Sequence, residues 1–231
     1  MKTLTILFIL TSQAVIGDTQ KPTGVWMEEL TTPYYAFIDA GFKVEIASIK
    51  DDKIPIDPRS QKKLGENPPS VDRFLKDDNA MKSIQASLSI DTIEASQYAA
   101  IFLPGGHGTM FDFPNNKKLA SIIAETLKDN RIVAAVCHGP AGLLSAKASD
   151  ETPIVQGKRI AAFTNDEEDA VGLTDEMPFL LETRLRELGA NVITAPNFEA
   201  HAIEDGNLIT GQNPASSDVV AKLVIKKLQN R

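Results

Sequence analysis

The chain has one cysteine in 231 residues. That excludes an internal disulfide framework and any multi-cysteine zinc site, and it suits a reducing compartment. There is no N-x-Ser/Thr sequon; Asn213, which comes nearest, is followed by Pro214. No apolar run approaches the ~20 residues that a membrane-spanning helix requires. Basic charge is also short, with 24 Lys+Arg against 31 Asp+Glu for a net −7, so the chain lacks the basic face that nucleic-acid phosphates need. Hydrophobic content of 42% and charged content of 24% are ordinary for a globular protein. At this length one sizeable core can be buried.

Apolar β-type runs alternate with helical patterns. Strands are expected at Thr3–Leu10, Lys43–Ser48, Ala99–Leu103, Ile132–Val136, Arg159–Phe163, Val192–Ala195 and Leu208–Thr210. Helices are expected at Pro33–Ala40, Lys117–Lys128, Pro140–Ala146, Thr174–Leu188 and Ser216–Leu228, the last behind a Ser-Ser-Asp cap. The alternation predicts an α/β fold: a doubly wound, mostly parallel sheet sandwiched by helices, with ligands beyond the carboxyl ends of the strands. Residues 51–97 break the rhythm with Pro55, Pro58, Pro68, Pro69 and many charges. They read as a lid-like insertion, with short helices near Val71–Leu75 and Asn79–Ser87, within a single domain spanning 1–231. Met1-Lys2 followed by Leu4 to Leu10 resembles a short signal peptide, but the run is apolar enough to fill the middle of a parallel sheet, and a first strand is the preferred reading.

The richest stretch is Ile132-Val133-Ala134-Ala135-Val136-Cys137-His138-Gly139-Pro140. A buried strand ends at the only cysteine, and Gly139-Pro140 opens a helix. Small residues at Ala135 and Gly139 permit the sharp strand-to-helix turn on which α/β hydrolases present a nucleophile. Without such context a lone cysteine reads as a small core hydrophobe. Strand Ala99–Leu103 runs into Pro104-Gly105-Gly106-His107-Gly108-Thr109, whose spacing fits neither a dinucleotide fingerprint nor a phosphate loop. An oxyanion hole fits better, with the N–H groups of Gly106 and His138 aimed at a developing negative charge. His138 can pair with the thiol only if its ring folds back. Its own partner would come from Asp166, Glu167, Glu168 or Asp169, which follow a strand; the residues alone do not choose among them. A second acidic pair, Glu28-Glu29, also follows strand one. It reads equally as a carboxyl of raised pKa near the thiol or as an ordinary helix-start carboxylate. Neither His107 nor His201 has chelating spacing in sequence, so no metal site is expected, and His201 reads as a surface or interface residue.

Together these stretches resemble the ThiJ/PfpI superfamily, and within it the glyoxalase III-like, heat-shock-protein-31-type branch. The resemblance rests on five motifs in family order: Thr23–Leu30, Leu103–Thr109, Ala134–Pro140, Phe163-Thr164-Asn165 with the acids after it, and Thr210–Ser216. It implies a flavodoxin-like sandwich and a Cys-His-acid triad mapping to Cys137, His138 and Glu168. It also implies an acid against the thiol at Glu29, with Glu28 as the shifted alternative. Gly105, Gly106 and His107 of the glycine-rich loop are the expected oxyanion and substrate-binding residues. The activity implied is a cofactor-free, metal-free conversion of methylglyoxal to D-lactate by a cytoplasmic homodimer. Cys137 thiolate would form a hemithioacetal, and Glu29 or His138 would move a proton through an enediol. A cysteine-dependent amidase, peptidase or deglycase, and a stress chaperone or redox sensor, are the alternatives. All of the enzymatic readings expect an ionised, solvent-reachable sulfur held between an imidazole and a carboxyl.

Overall fold

The computed structural model describes residues 3–50 and 53–230. Its strands are β1 (Thr5–Leu10), β2 (Lys43–Ser48), β3 (Leu88–Ser89), β4 (Ala100–Leu103), β5 (Ile132–Val136), β6 (Arg159–Ile160), β7 (Asn191–Val192), β8 (Ala202–Asp205) and β9 (Leu208–Gly211). Its α-helices are α1 (Met27–Asp39), α2 (Pro69–Leu75), α3 (Asp78–Gln85), α4 (Thr109–Asp112), α5 (Lys117–Lys128), α6 (Asn165–Ala170), α7 (Leu181–Glu187) and α8 (Ser217–Gln229). Seven strands form one sheet in the order β3-β2-β1-β4-β5-β9-β8, parallel except for β8 against β9. The fold is the doubly wound α/β sandwich expected from the sequence.

The central strands are apolar throughout because both of their faces are covered. Alternate residues of β1, β4 and β5 feed opposite layers. Leu7, Ile9, Ile101, Leu103, Val133 and Ala135 pack beneath α5 and α7. Ile6, Phe8, Leu10, Phe102, Ala134 and Val136 pack beneath α1 and α8. Chain direction across the sheet reverses on either side of β1, and loops 11–26 and 104–108 leave the sheet at the carboxyl ends there. That crevice is where a doubly wound sheet binds ligands.

Several expected elements differ. The first helix begins at Met27, not Pro33, and carries Pro33 inside it. Glu28 and Glu29 therefore lie in its first turn. The helix expected at Thr174–Leu188 is a 3₁₀ turn at Thr174–Glu176 and then α7, because Pro178 interrupts it. The helix expected at Pro140–Ala146 is a 3₁₀ segment, Gly139–Leu143. The run Arg159–Phe163 is not a main-sheet strand; only Arg159–Ile160 is extended in a ladder, and it pairs with Asn191–Val192 in a separate small sheet. Beyond it the chain passes under the elbow, where the Phe163 N–H donates to the Cys137 carbonyl at 3.0 Å. The antiparallel strand β8 was not anticipated, although Asp205-Gly206 is a hairpin signal and Gly206 has φ +61°. Of the segment 51–97, α2 and α3 cross from β2 to β3 and bury Val71, Phe74, Ala80 and Ile84. Its first part is stitched to the loop before α1 by Val25 N–H to Pro55 O and Asp57 N–H to Val25 O. Met1 and Lys2 of the signal-peptide reading lie outside the described residues. Among the described residues, no helix is long and apolar enough to cross a membrane.

Candidate active site

Cys137 stands at the carboxyl end of β5 in the left-handed region, with φ +59°. A non-glycine residue held there costs about 1–2 kcal/mol, so the elbow is a strained turn kept in place by its surroundings. Its N–H donates to Gly211 O at 2.9 Å, and its carbonyl receives Phe163 N–H. Gly105 is required beside it: a Cβ there would lie 2.6 Å from the His138 nitrogen and 2.8 Å from Glu29 Oε2.

The His138 ring does fold back, with Nδ1 3.3 Å from Cys137 Sγ. Its Nε2 lies 2.7 Å from Glu168 Oε2. Helix α6 decides which acid of the cluster makes this contact. Thr164 caps it in a capping box with Glu167, which fixes the helix phase and turns Glu167 and Glu168 inward while Asp166 and Asp169 stay exposed. Glu167 does not touch the histidine. It accepts five hydrogen bonds: Oε1 receives the Phe198 N–H, Gln212 Nε2 and Asn213 Nδ2, while Oε2 receives the Thr164 N–H and Oγ1. It thereby ties three loops together around the site.

Glu29 reaches the sulfur from the other side. Its Oε2 accepts from Gly105 N–H at 2.7 Å. Oε1 has no hydrogen-bond partner among the described residues, and the carboxyl as a whole interacts with the Cys137 thiol. Burial pushes Glu29 up to about 8, against the opposing pull of the Cys137 and Gly105 hydrogen bonds. Glu28 is also raised by burial but is only half enclosed.

The thiol departs from expectation. Burial, and after it the charge and hydrogen bond of Glu29, drive the Cys137 pKa well up, so the resting sulfur is a protonated thiol rather than a thiolate. The residue is only 4% exposed, yet it does line a cavity of about 350 Å³. Trp26, Arg59, Phe163, Val171 and Phe198 form much of that cavity's wall. The His138 N–H interacts with the Cys137 sulfur; among the described residues no oxygen accepts from the Gly106 N–H, and both residues line the cavity. A larger groove of about 670 Å³ opens at the amino ends of β5 and β9, where none of these groups lies.

His107 is brought to the same place. Its Nε2 is 2.9 Å from Glu168 Oε1, and its ring centroid is 4.3 Å from that of His138. Its Nδ1 faces Arg59 Nη2 at 3.0 Å. His107, His138 and Glu168 thus present ligand-type atoms within 4.8 Å of one another, a cluster that linear spacing did not reveal. In this geometry both Nε2 atoms point at the carboxylate and are engaged by it. Burial works to raise Glu168, but the charge of His138 and bonds from both imidazoles overcome it and hold the carboxyl well below the usual range. Burial first, then the charge of His138, lowers His107 to about 4. Arg59 was not found from sequence. It sits in a 3₁₀ turn, Pro58–Ser60, capped by Asp57, which also accepts from Arg59 Nε at 3.0 Å and Nη2 at 2.6 Å. His201 precedes β8, half-buried, and contacts none of these groups.

The DJ-1/PfpI family model matches residues 23–227. The chain belongs to the DJ-1/PfpI family. Among similar members of the family is the fission-yeast (Schizosaccharomyces pombe) protein named probable glutathione-independent glyoxalase hsp3103, 33% identical over 89% of this chain and 90% of that one. The Saccharomyces cerevisiae glutathione-independent glyoxalase HSP31 is 32% identical over 97% of this chain and 98% of its own length. The crystal structure of glyoxalase III from Candida albicans superposes with a TM-score of 0.89 at 28% identity, covering 96% of each chain.

Proposed function

We propose that this chain is a glutathione-independent glyoxalase, converting a small 2-oxoaldehyde such as methylglyoxal into a 2-hydroxy acid on Cys137. The observation that carries the reading is the bracketing of one thiol between an imidazole nitrogen and a buried carboxylic acid at the floor of an apolar cavity. The similarity to proteins named as glyoxalases supports it.

His138, oriented by Glu168, takes the thiol proton, and the sulfur adds to the aldehyde carbon. Glu29, protonated at neutral pH, gives its proton to the oxygen that becomes the hemithioacetal hydroxyl. In this scheme the N–H groups of Gly106 and His138 steady that oxygen while it carries charge. The carboxylate left on Glu29 then removes the hydrogen of the former aldehyde carbon while the His138 imidazolium protonates the ketone oxygen, giving an enediol; Glu29 returns its proton to the neighbouring carbon as His138 takes the proton of the hemithioacetal hydroxyl. The product of this shift is a thioester of the 2-hydroxy acid. Water cleaves it, releasing the acid and restoring the thiol. Substrate plus one water equals product, so no redox partner and no glutathione enter the balance.

The test is lactate formation from methylglyoxal by purified protein without glutathione. Cys137→Ala should abolish it, and turnover surviving that change would rule the scheme out. Cleavage of peptides or release of glycated amines without lactate would instead place the chain among the hydrolytic alternatives. The homodimer implied by the family resemblance belongs to the same proposal, and light scattering of the purified chain tests it.

A further inference from the structure

We propose that Arg59 and His107 form a tautomer lock on the triad. The guanidinium confines His107 to its neutral, Nε2-protonated form, so that Glu168 receives two imidazole donors and His138 alone is left to take the thiol proton. The inference rests on the reading of Cys137, His138 and Glu168 as the reacting groups.

Arginine has N–H donors, no acceptor, and does not deprotonate in proteins. With Nη2 3.0 Å from His107 Nδ1, that ring nitrogen must accept. A hydrogen on Nδ1 would set two donors face to face. The neutral ring then carries its proton on Nε2, which lies 2.9 Å from Glu168 Oε1. The other carboxylate oxygen, Oε2, takes the Nε2–H of His138 at 2.7 Å. That leaves Nδ1 of His138 with a lone pair toward the sulfur. Each link fixes the next, and the chain starts from a side chain that Asp57 grips through Nε and Nη2 and Thr23 supports through Asp57 at 3.0 Å.

The lock matters when the thiol gives up its proton. His138 then becomes an imidazolium, and a second imidazolium with its centroid 4.3 Å away would oppose it. The charged and titratable groups around His107 are Arg59, Glu168 and His138, with Asp57 behind Arg59; Phe163 closes an edge of the ring at 6.1 Å. Of these, Arg59 alone prevents proton uptake at Nδ1 by direct contact. His107 and Arg59 are positioning residues, acting on the sulfur through Glu168 and His138.

The experiment is ¹⁵N NMR of the imidazole nitrogens of the full chain from pH 4.5 to 8, without substrate. The wild type should show His107 neutral and Nε2-protonated throughout. In Arg59→Met the Nδ1 tautomer should become populated and the titration should shift upward into this range, while burial and His138 keep its midpoint below the ordinary histidine value. Alkylation of Cys137 by iodoacetamide should gain an acid limb at the same midpoint, and Arg59→Lys, which keeps a cationic donor, should restore part of the wild-type profile. If Arg59→Met does not fold, the pair His107→Leu and His107→Gln decides. Leucine removes the donor to Glu168 and should lower kcat on methylglyoxal on the order of 10- to 100-fold with little change in KM. Glutamine, whose amide reaches the Nε2 position, should recover most of that. The proposal is overturned if wild-type His107 titrates near its ordinary value, if Arg59→Met leaves tautomer and alkylation profile unchanged, or if the leucine and glutamine variants are equally impaired. Spectra and alkylation that behave as expected in a protein making no lactate would support the lock and count against the glyoxalase reading alone.

Discussion

Replacing Glu29 by glutamine tests the electrostatics of the site without touching the sulfur. Burial holds the folded-state Glu29 at about 8 against an ordinary 4.5. Between those values the folded chain keeps a proton that the unfolded chain has released, so each pH unit removes about 1.4 kcal/mol of stability. The contribution is fully present below 4.5 and is lost as pH rises through about 8. Over the whole interval it amounts to on the order of 4–5 kcal/mol, an upper figure because the site can relax. Glutamine has the shape of the protonated acid. Its oxygen can accept from Gly105, its NH₂ sits where the acid's O–H would face the thiol, and it has no proton to lose. Glu29→Gln should therefore match the wild type near pH 5 and be the more stable protein at pH 8.5, by roughly 3–4 kcal/mol. Asp112, which burial raises to about 6, titrates in both proteins and cancels in the difference. The assay is equilibrium urea unfolding at half-unit pH steps, with the m-value checked for constancy. A difference that stays flat from pH 5 to 8.5 would refute a buried, protonated Glu29. So would a glutamine variant that is the less stable protein throughout. The same substitution should sharply reduce turnover of methylglyoxal.

Glu167→Ala should cost about 3–5 kcal/mol, because five donors from Thr164, Phe198, Gln212 and Asn213 lose their buried acceptor; thermal unfolding measures it, and a loss below about 1 kcal/mol contradicts the assignment. Cys137→Gly should be at least as stable as Cys137→Ala, the reverse of the usual order, since φ is +59° at the elbow. An alanine variant that is clearly the more stable would show that the turn carries no strain. Gly105→Ala drives a Cβ to within 2.8 Å of Val136 O as well as Glu29 and His138. It should destabilise the fold by roughly 1–3 kcal/mol and slow Cys137 alkylation, whereas a wild-type alkylation rate would mean the site tolerates the shift.

Much of the architecture was legible because its signals are local. Runs such as Ile6–Leu10 and Ile132–Val136 are apolar on both faces, and only a central parallel strand needs that. The elbow was legible for the same reason: Ala135, Cys137 and Gly139 lie within five residues. What the residues left open was set at longer range or by helix phase. Four consecutive acids follow Asn165, and composition cannot say which face inward; the Thr164 cap, by fixing where α6 starts, selects Glu167 and Glu168. Only the family resemblance preferred Glu29 over Glu28; the physical reason for that preference is the phase of a helix that begins at Met27 instead of Pro33 and buries Glu29. Arg59 meets His107 across 48 positions through a proline-rich turn with no motif of its own. The ionised sulfur was misjudged because a nearby histidine suggests a thiolate, whereas burial beside a carboxyl works against one.

A protonated resting thiol does not weaken the case for a nucleophile; it changes where activation must occur. Moving the proton from Sγ to His138 Nδ1 creates no net charge. The new imidazolium is balanced by the thiolate on one side and by Glu168, already anionic, on the other. Glu29, kept neutral at pH 7, then faces the thiolate as a donor rather than as a like charge. The two carboxyls are pushed apart by their surroundings: desolvation without a cation raises Glu29, while two imidazole donors lower Glu168. In the proposed mechanism this separation gives one acid to proton donation and the other to holding a base. Had both been ionised, thiolate formation would place three anions around one imidazole. Had both been neutral, the thiolate would be the imidazolium's sole counter-charge. On that proposal, the split arrangement is what would let a sealed thiol become reactive when an electrophilic carbonyl enters the cavity and accepts the sulfur's charge.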